Sequence, residues 1–150
     1  MNKETIKIRL MRAEDFDAVL AIDDKLFRTS RREYHEMKFD KLFNSRDYIP
    51  VSLVAEEEDG KVVGFVMGEL YMGEYGIFQE AATLDTIGVD PDHQHKGIGK
   101  KLIDEFMDHL RNVGVKKITT LIDWNYSKMI HFFSLNQFSP SKTINLERIL

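Results

Sequence analysis

Between Ala81 and Asn112 the chain reads as a strand, a glycine turn and an amphipathic helix, and that unit sets the terms for everything around it. Ala81 to Val89 is a largely apolar run suited to a central strand, ending at Asp90-Pro91. From Gly97 to about Asn112, Ile98, Leu102, Ile103, Phe106, Met107 and Leu110 recur at three- and four-residue steps. This period gives one wide apolar helix face that has to pack on another element. Gly114 then stands where a helix C-terminal cap is expected.

The flanking sequence supplies the rest of a mixed sheet. Ile6, Ile8 and Leu10 alternate with Lys7 and Arg9, the period of a half-buried strand. Acidic Glu14 and Asp15 suit the positive end of a helix carrying Phe16, Val19, Leu20, Asp23 and Phe27. A second helix is expected from about Arg31 to Phe43, where Tyr34, Met37, Phe39, Leu42 and Phe43 make a broken apolar stripe in polar surroundings. Val51 to Ala55 and Val62 to Leu70 read as a hairpin, with Asp59-Gly60 at a turn that favours positive φ. The acidic run Glu56 to Asp59 is a solvated hairpin end. Val115 and Ile118 to Ile122 predict a further strand, Asn125 to Leu135 a short helix, and Thr143 to Ile149 a last strand. The order is β-α-α-β-β-β-α-β-α-β: one α/β domain over residues 1–150, with a mixed sheet of six to seven strands and about four helices.

Composition narrows the function classes. The chain is 43% hydrophobic and 31% charged, as an ordinary globular protein is. A net charge of −4 gives no basic footprint for nucleic acid. There is no cysteine, which removes disulfides, thiolate zinc sites and a cysteine nucleophile. The polar start Met1-Asn2-Lys3-Glu4-Thr5 has no signal-peptide core, and no apolar run has the roughly 20 residues of a membrane span. A cytoplasmic protein without membrane or nucleic-acid partners is expected.

The chemistry concentrates in Asp85 to Lys100. The first N–H groups of a helix lack intrahelical partners, and the helix dipole adds partial positive charge there. Gly97 and Gly99 take side chains away where a phosphate approaches the backbone, and Lys96, Lys100 and Lys101 add full charges. A diphosphate is the natural ligand. A nucleotide P-loop needs a glycine five residues before Gly-Lys and a Ser or Thr after it, whereas this chain has Gln94 and Lys101. A dinucleotide fingerprint follows the first strand and needs a third glycine, which Lys100-Lys101-Leu102 does not supply.

Gln94-His95-Lys96-Gly97-Ile98-Gly99 resembles the Gln/Arg-x-x-Gly-x-Gly/Ala motif of the GNAT superfamily of N-acetyltransferases, and the order of elements is similar over essentially the whole chain. The resemblance implies that backbone amides of Gln94, His95, Lys96, Gly97, Ile98, Gly99 and Lys100 hold the pyrophosphate of coenzyme A. It also implies that Ile87, Gly88 and Val89, on a strand splayed by a bulge, run beside the pantetheine arm and the acyl carbonyl. Asn125 resembles a cofactor-contacting asparagine of the family.

Transfer to an amine needs the amine neutral, and lysine-like amines have a pKa of about 10.4. Asp85, four residues before Val89, is the candidate general base, with Glu69 and Glu80 as fallbacks. The family's usual acid is a tyrosine on the last helix. Aligning Phe132-Phe133-Ser134-Leu135-Asn136-Gln137-Phe138 puts Phe133 in its place and Gln137 in a glycine place, leaving Tyr126 as the substitute acid. Trp124 is read as a core residue or a wall of the acceptor pocket, and Tyr71, Tyr75, Phe78, Glu74 and Glu80 border the acceptor side. The function implied is acetyl transfer from acetyl-CoA, without a metal, to a primary amine on a small molecule, peptide or protein, with a homodimer as the candidate assembly. The alternatives are an acyl-CoA-binding or sensing module without turnover, and an interaction domain with a vestigial loop.

Overall fold

A computed structural model describes residues 5–27, 29–45, 49–71 and 81–150. The chain divides into two compact units, Met1–Thr120 and Leu121–Leu150.

The first unit holds one sheet with strands β1 (Lys7–Leu10), β2 (Leu53–Glu56), β3 (Val62–Tyr71), β4 (Ala81–Val89) and β5 (Lys117–Thr119), ordered β1-β2-β3-β4-β5. The first four pair antiparallel in sequence, and β5 joins β4 in parallel. Three helices complete the unit: α1 (Phe16–Leu26), α2 (Arg32–Asn44) and α3 (Ile98–Asn112). No helix among the described residues is long and apolar enough to cross a membrane.

The periodicities account for the layers. On one side of the sheet, Val19 and Ile22 of α1 and Phe39 and Leu42 of α2 pack with Met11, Val54, Phe65 and Met67. On the other side, Ile98, Leu102, Ile103, Phe106 and Leu110 of α3 are all buried, the face that the sequence spacing anticipates. With a helix layer on each side, β3 is buried from Val63 to Gly68 without alternation, as covered central strands are. The Asp59-Gly60 hairpin forms as expected, closed by Glu57 N–H to the Lys61 carbonyl at 2.9 Å.

Arg9 joins the sheet to the start of α1. Its guanidinium holds Asp15 at 2.8 and 2.9 Å and Glu56 at 2.8 Å. Burial would push the Asp15 carboxyl up, but the Arg9 and Arg12 contacts outweigh it and hold it below the ordinary range.

The second unit contains α4 (Ser127–Leu135), and Phe133 is buried with its ring edge-on to Phe132 and Phe138. The expected last strand does not form. Residues 143–149 carry no ladder, and Ile144, Leu146 and Ile149 are exposed. Alternating apolar residues are necessary for a half-buried strand, yet a strand exists only where its backbone groups find partners. The sheet therefore has five strands among the described residues rather than six to seven, and the element order stops at α4.

α3 and α4 end in the same way. Val115 N–H reaches the Leu110 carbonyl at 2.9 Å and Gly114 N–H that of Arg111 at 3.0 Å; after α4, Phe138 N–H reaches Phe133 at 3.0 Å and Gln137 N–H reaches Ser134 at 3.1 Å. Both are paired-bond caps that need a left-handed residue. Gly114 supplies it at φ +91, whereas Gln137 is forced to +70. Gln137→Gly relieves that conformation, at the cost of a more flexible unfolded chain. The expected net gain is about 0.5–1 kcal/mol, read by chemical denaturation. A loss of stability would show that the glutamine side chain contributes more than its backbone conformation costs.

Candidate active site

The turn before α3 is fixed at both ends. Asp90 caps a short 3-10 turn (Pro91–His93) by accepting the Asp92 N–H at 3.0 Å, and its other oxygen takes the Lys25 ammonium at 3.1 Å. His93 Nε2 lies 2.5 Å from Glu57 Oε1, tying the turn to the β2–β3 hairpin. At the far end Ile98 is buried in the layer beneath α3. Between these anchors Gln94, His95, Lys96 and Gly97 are exposed.

Two left-handed residues make the turn. His95 has φ +64 and Gly97 has φ +81, the latter as N-cap of α3. The helix thus begins at Ile98, the first residue of its apolar series and one residue after the expected start at Gly97. Its first intrahelical bond runs from Lys101 N–H to the Gly97 carbonyl at 3.0 Å. The N–H groups of Ile98, Gly99 and Lys100 precede that bond and have no intrahelical acceptor. Three such donors at the positive end of a fifteen-residue helix are a fitting seat for a diphosphate. Of the neighbouring lysines, Lys100 pairs with Asp104 at 2.6 Å, and Lys101 donates to the Ile6 carbonyl at 2.5 Å, which fastens α3 to the start of β1.

β4 carries a bulge. Met67 pairs with Thr86 and Gly68 with Leu84, so Asp85 is the extra residue. A bulge bends its strand, and here pairing with β5 covers only Ala81, Ala82 and Thr83. Thr120 Oγ1 still donates to the Leu84 carbonyl at 2.9 Å, after which the two strands part. Asp90 N–H bonds the Val63 carbonyl at 2.8 Å. Backbone groups alternate along an antiparallel ladder, so Thr86 and Gly88 also turn toward β3. Ile87 and Val89 therefore present N–H and C=O to the edge that β5 has left. The Val89 carbonyl takes the Gln94 side-chain amide there at 3.2 Å, linking the open edge to the turn.

Gly68 faces the bulge in a space with no room for a side chain. A Cβ built there would lie 2.4 Å from the Thr83 carbonyl oxygen and 2.5 Å from Phe106 Cζ. Gly68→Ala is expected to destabilise the protein by about 3 kcal/mol, the upper range for overpacking, because a backbone atom cannot rotate aside. A melting temperature equal to the wild type would refute this.

The bulge turns both Asp85 and Thr86 toward α2. Asp85 Oδ2 meets Lys38 Nζ at 2.8 Å, and Asp85 Oδ1 accepts from Thr83 Oγ1 at 3.0 Å. Thr86 Oγ1 accepts from Arg31 Nη2 at 3.1 Å. The Arg31 guanidinium also pairs with the buried Asp23 at 2.5 and 2.9 Å, and His35 Nε2 lies 3.2 Å from the same carboxylate. Burial pushes the His35 imidazole below its ordinary value, against the pull of Asp23. Glu69, the fallback carboxylate, stands beside Asp85 with Lys38 at 3.1 Å and Lys41 also on it.

The structure thus brings Asp85 and Glu69 together and sets the Gln94–Lys100 turn beside the open edge at Ile87 and Val89. Asn125 and Tyr126 belong to the second unit, where both are exposed and Tyr126 is the N-cap residue of α4. Trp124, expected as core or pocket wall, is 94% exposed in this chain. Glu74, Tyr75, Phe78 and Glu80 lie outside the described residues. Sequence reasoning missed Arg31 and Lys38. Their spacing of seven on one helix was visible, and so was the broken apolar stripe of α2. The stripe breaks because this face meets the polar bulge.

Comparison with known proteins places these features in a family. The model of the acetyltransferase (GNAT) family matches residues 16–136. The chain is 27% identical over 144 residues to the mycothiol acetyltransferase of Propionibacterium freudenreichii subsp. shermanii, covering 93% of this chain and 45% of that protein. It is 34% identical over 58 residues to the ribosomal protein bS18 alanine N-acetyltransferase of Escherichia coli K12, covering 39% of this chain and 34% of that protein. Each match thus spans less than half the length of the curated relative. Among solved structures, the aminoglycoside N-acetyltransferase AAC(6')-Iy in complex with CoA is similar in fold, with a TM-score of 0.79 at 16% identity over 99% of this chain and 97% of that one. The ribosomal-protein-alanine N-acetyltransferase of Brucella melitensis biovar Abortus 2308 follows at 0.73 and 21%, over 97% and 99%.

Proposed function

Since the chain belongs to the acetyltransferase (GNAT) family, we propose that it moves an acetyl group from acetyl-CoA to a primary amine by direct attack. The observation that carries this reading is the three unpaired N–H groups opening α3 beside the open edge of β4. The diphosphate of CoA sits on Ile98, Gly99 and Lys100, within the turn from Gln94 to Lys100, and Gly97 keeps its approach clear. The pantetheine arm runs along Ile87, Gly88 and Val89, where the outward N–H groups of Ile87 and Val89 suit an extended amide chain and a developing oxyanion. Relatives of the family known with CoA bound support the choice of donor. Asn125 is assigned to the same cofactor by the family pattern alone.

The acceptor amine arrives protonated and has to lose a proton before it attacks the thioester carbonyl. Asp85 is the base that takes it, directly or through water. The new C–N bond forms as the C–S bond breaks, the nitrogen gives up its second proton to solvent, and CoA leaves as a thiolate that takes up a proton from solvent. A thiol with a pKa of about 8.5 is a tolerable leaving group without a dedicated acid. The chain has no cysteine to carry the acetyl group as a thioester, which agrees with direct attack.

The test is turnover. The protein is incubated with acetyl-CoA and a panel of small amines, peptides with free N-termini and lysine peptides, and free CoA and acceptor mass are measured. Release of CoA matched by an acceptor gaining one acetyl group supports the reading and identifies the acceptor class. One observation favours a second reading, an acyl-CoA-binding module: Phe133 stands buried where the family's tyrosine is expected. Binding of CoA without turnover on any acceptor would establish it and end the first.

A further inference from the structure

We propose that Lys38 is a positioning residue of the transfer site, its ammonium bridging Asp85 and Glu69 and holding the two carboxylates side by side at the bulge. The inference rests on Asp85 acting as the base. Lys38 reaches Asp85 Oδ2 at 2.8 Å and Glu69 Oε2 at 3.1 Å, so one nitrogen touches both acids. The three side chains are largely withdrawn from water, at 14%, 19% and 22% exposure for Lys38, Asp85 and Glu69. Two carboxylates in one sheltered place repel, and without a shared cation one of them takes up a proton at higher pH.

The surrounding charges place that burden on Asp85. Among the described residues, α2 contributes Tyr34, Lys38 and Lys41, its N-cap residue is Arg31, β3 contributes Glu69, and α1 contributes Asp23 behind Arg31. Arg31 is committed to Asp23 and Thr86. Lys41 pairs with Glu69, so Glu69 keeps a cation when Lys38 is removed. Asp85 keeps only the neutral hydroxyl of Thr83. The shifts of Lys38 and Glu69 have the direction that the bridge requires. Burial works against the Lys38 ammonium, but Asp85 and Glu69 outweigh it and hold the group above its ordinary value. Burial likewise works against the Glu69 carboxylate, and Lys41 and Lys38 outweigh it and hold it below the usual range.

The experiment is the pH dependence of kcat/KM in five variants, with CoA affinity and thermal unfolding measured alongside. Asp85 serves as base only when ionised, so activity falls on the acid side. In Lys38→Met that acid limb is expected to move toward neutral pH by about one unit or more. Adding Glu69→Gln to it removes the opposing charge and returns the limb toward the wild-type position. Lys38→Arg keeps the bridge and the wild-type limb. A folded Lys38→Met with an unmoved limb, or a double variant that fails to return, overturns the assignment. Should Lys38→Met not fold, Glu69→Gln alone decides: it leaves Lys38 wholly to Asp85 and moves the limb to lower pH, and an unmoved limb refutes the bridge. Asp85→Asn separates the two readings. If it leaves the acid limb in place, Asp85 is not the base; if it removes the limb while Lys38→Met does nothing, only the role of Lys38 falls.

Discussion

Replacing Gly99 with glutamate is expected to leave a folded protein that no longer binds CoA. Gly99 is the second residue of α3, partly exposed, with its N–H ahead of the first helical bond. Glutamate there favours the fold, because it is a better helix former than glycine and its charge suits the helix N-terminus. For a diphosphate the same side chain is a steric block and a like charge at the seat. Losing two charge-assisted hydrogen bonds, at about 1.5–3 kcal/mol each, corresponds to on the order of 10²-fold or more in Kd. The measurement pairs calorimetric CoA titration with thermal unfolding. An unfolding midpoint at or above that of the wild type with CoA binding abolished confirms the seat, and retained affinity removes it. The value of this variant is that folding and binding move in opposite directions, so one cannot be mistaken for the other.

Asp85→Asn is expected to lower kcat by on the order of 10²–10⁴, the usual share of a general base, while CoA affinity stays as it was. Asp85 is well placed for such a selective effect. It is the extra residue of the bulge, and asparagine has nearly the same size and leaves the backbone unchanged. Asparagine can still accept from Lys38 through its one amide oxygen, and its NH2 group can donate to Thr83 Oγ1, so the shape of the site is kept while the basic carboxylate is removed. The pH–rate profile is the decisive readout, since losing the base removes its acid limb. A variant with the wild-type profile would exclude Asp85 and turn attention to Glu69, held 3.1 Å from the same lysine.

What the sequence made legible was local. The left-handed turn ending at Gly97 and the apolar face of α3 follow from residues within one turn of each other, and both formed where their spacing pointed. The bulge was reached only through family resemblance. It is a relation between Met67-Gly68 and Leu84-Thr86, and nothing in either stretch alone marks the extra residue. The bridge at Asp85 was out of reach for the same reason, because its lysine lies 47 positions away on a helix whose period looked poor. The last strand shows the opposite failure: Ile144, Leu146 and Ile149 carry the right pattern, yet no strand among the described residues pairs with them. Phe133 and Gln137 were found in register with a family pattern, and the backbone explains half of that match. Gln137 holds the left-handed conformation that a glycine would adopt there.

The pairing on the two sides of Asp85 has one more consequence. Met67 faces Thr86 and Gly68 faces Leu84, so the residues flanking Asp85 already occupy adjacent rungs of a regular ladder. Excising Asp85 would leave every other pair in its present partnership and straighten the strand. The opening along Ile87 and Val89 is therefore the imprint of a single inserted amino acid, superimposed on a sheet whose pairing does not need it. A carboxylate and the cleft it overlooks arrive together in that one residue, and a one-codon deletion would take both away while sparing the core.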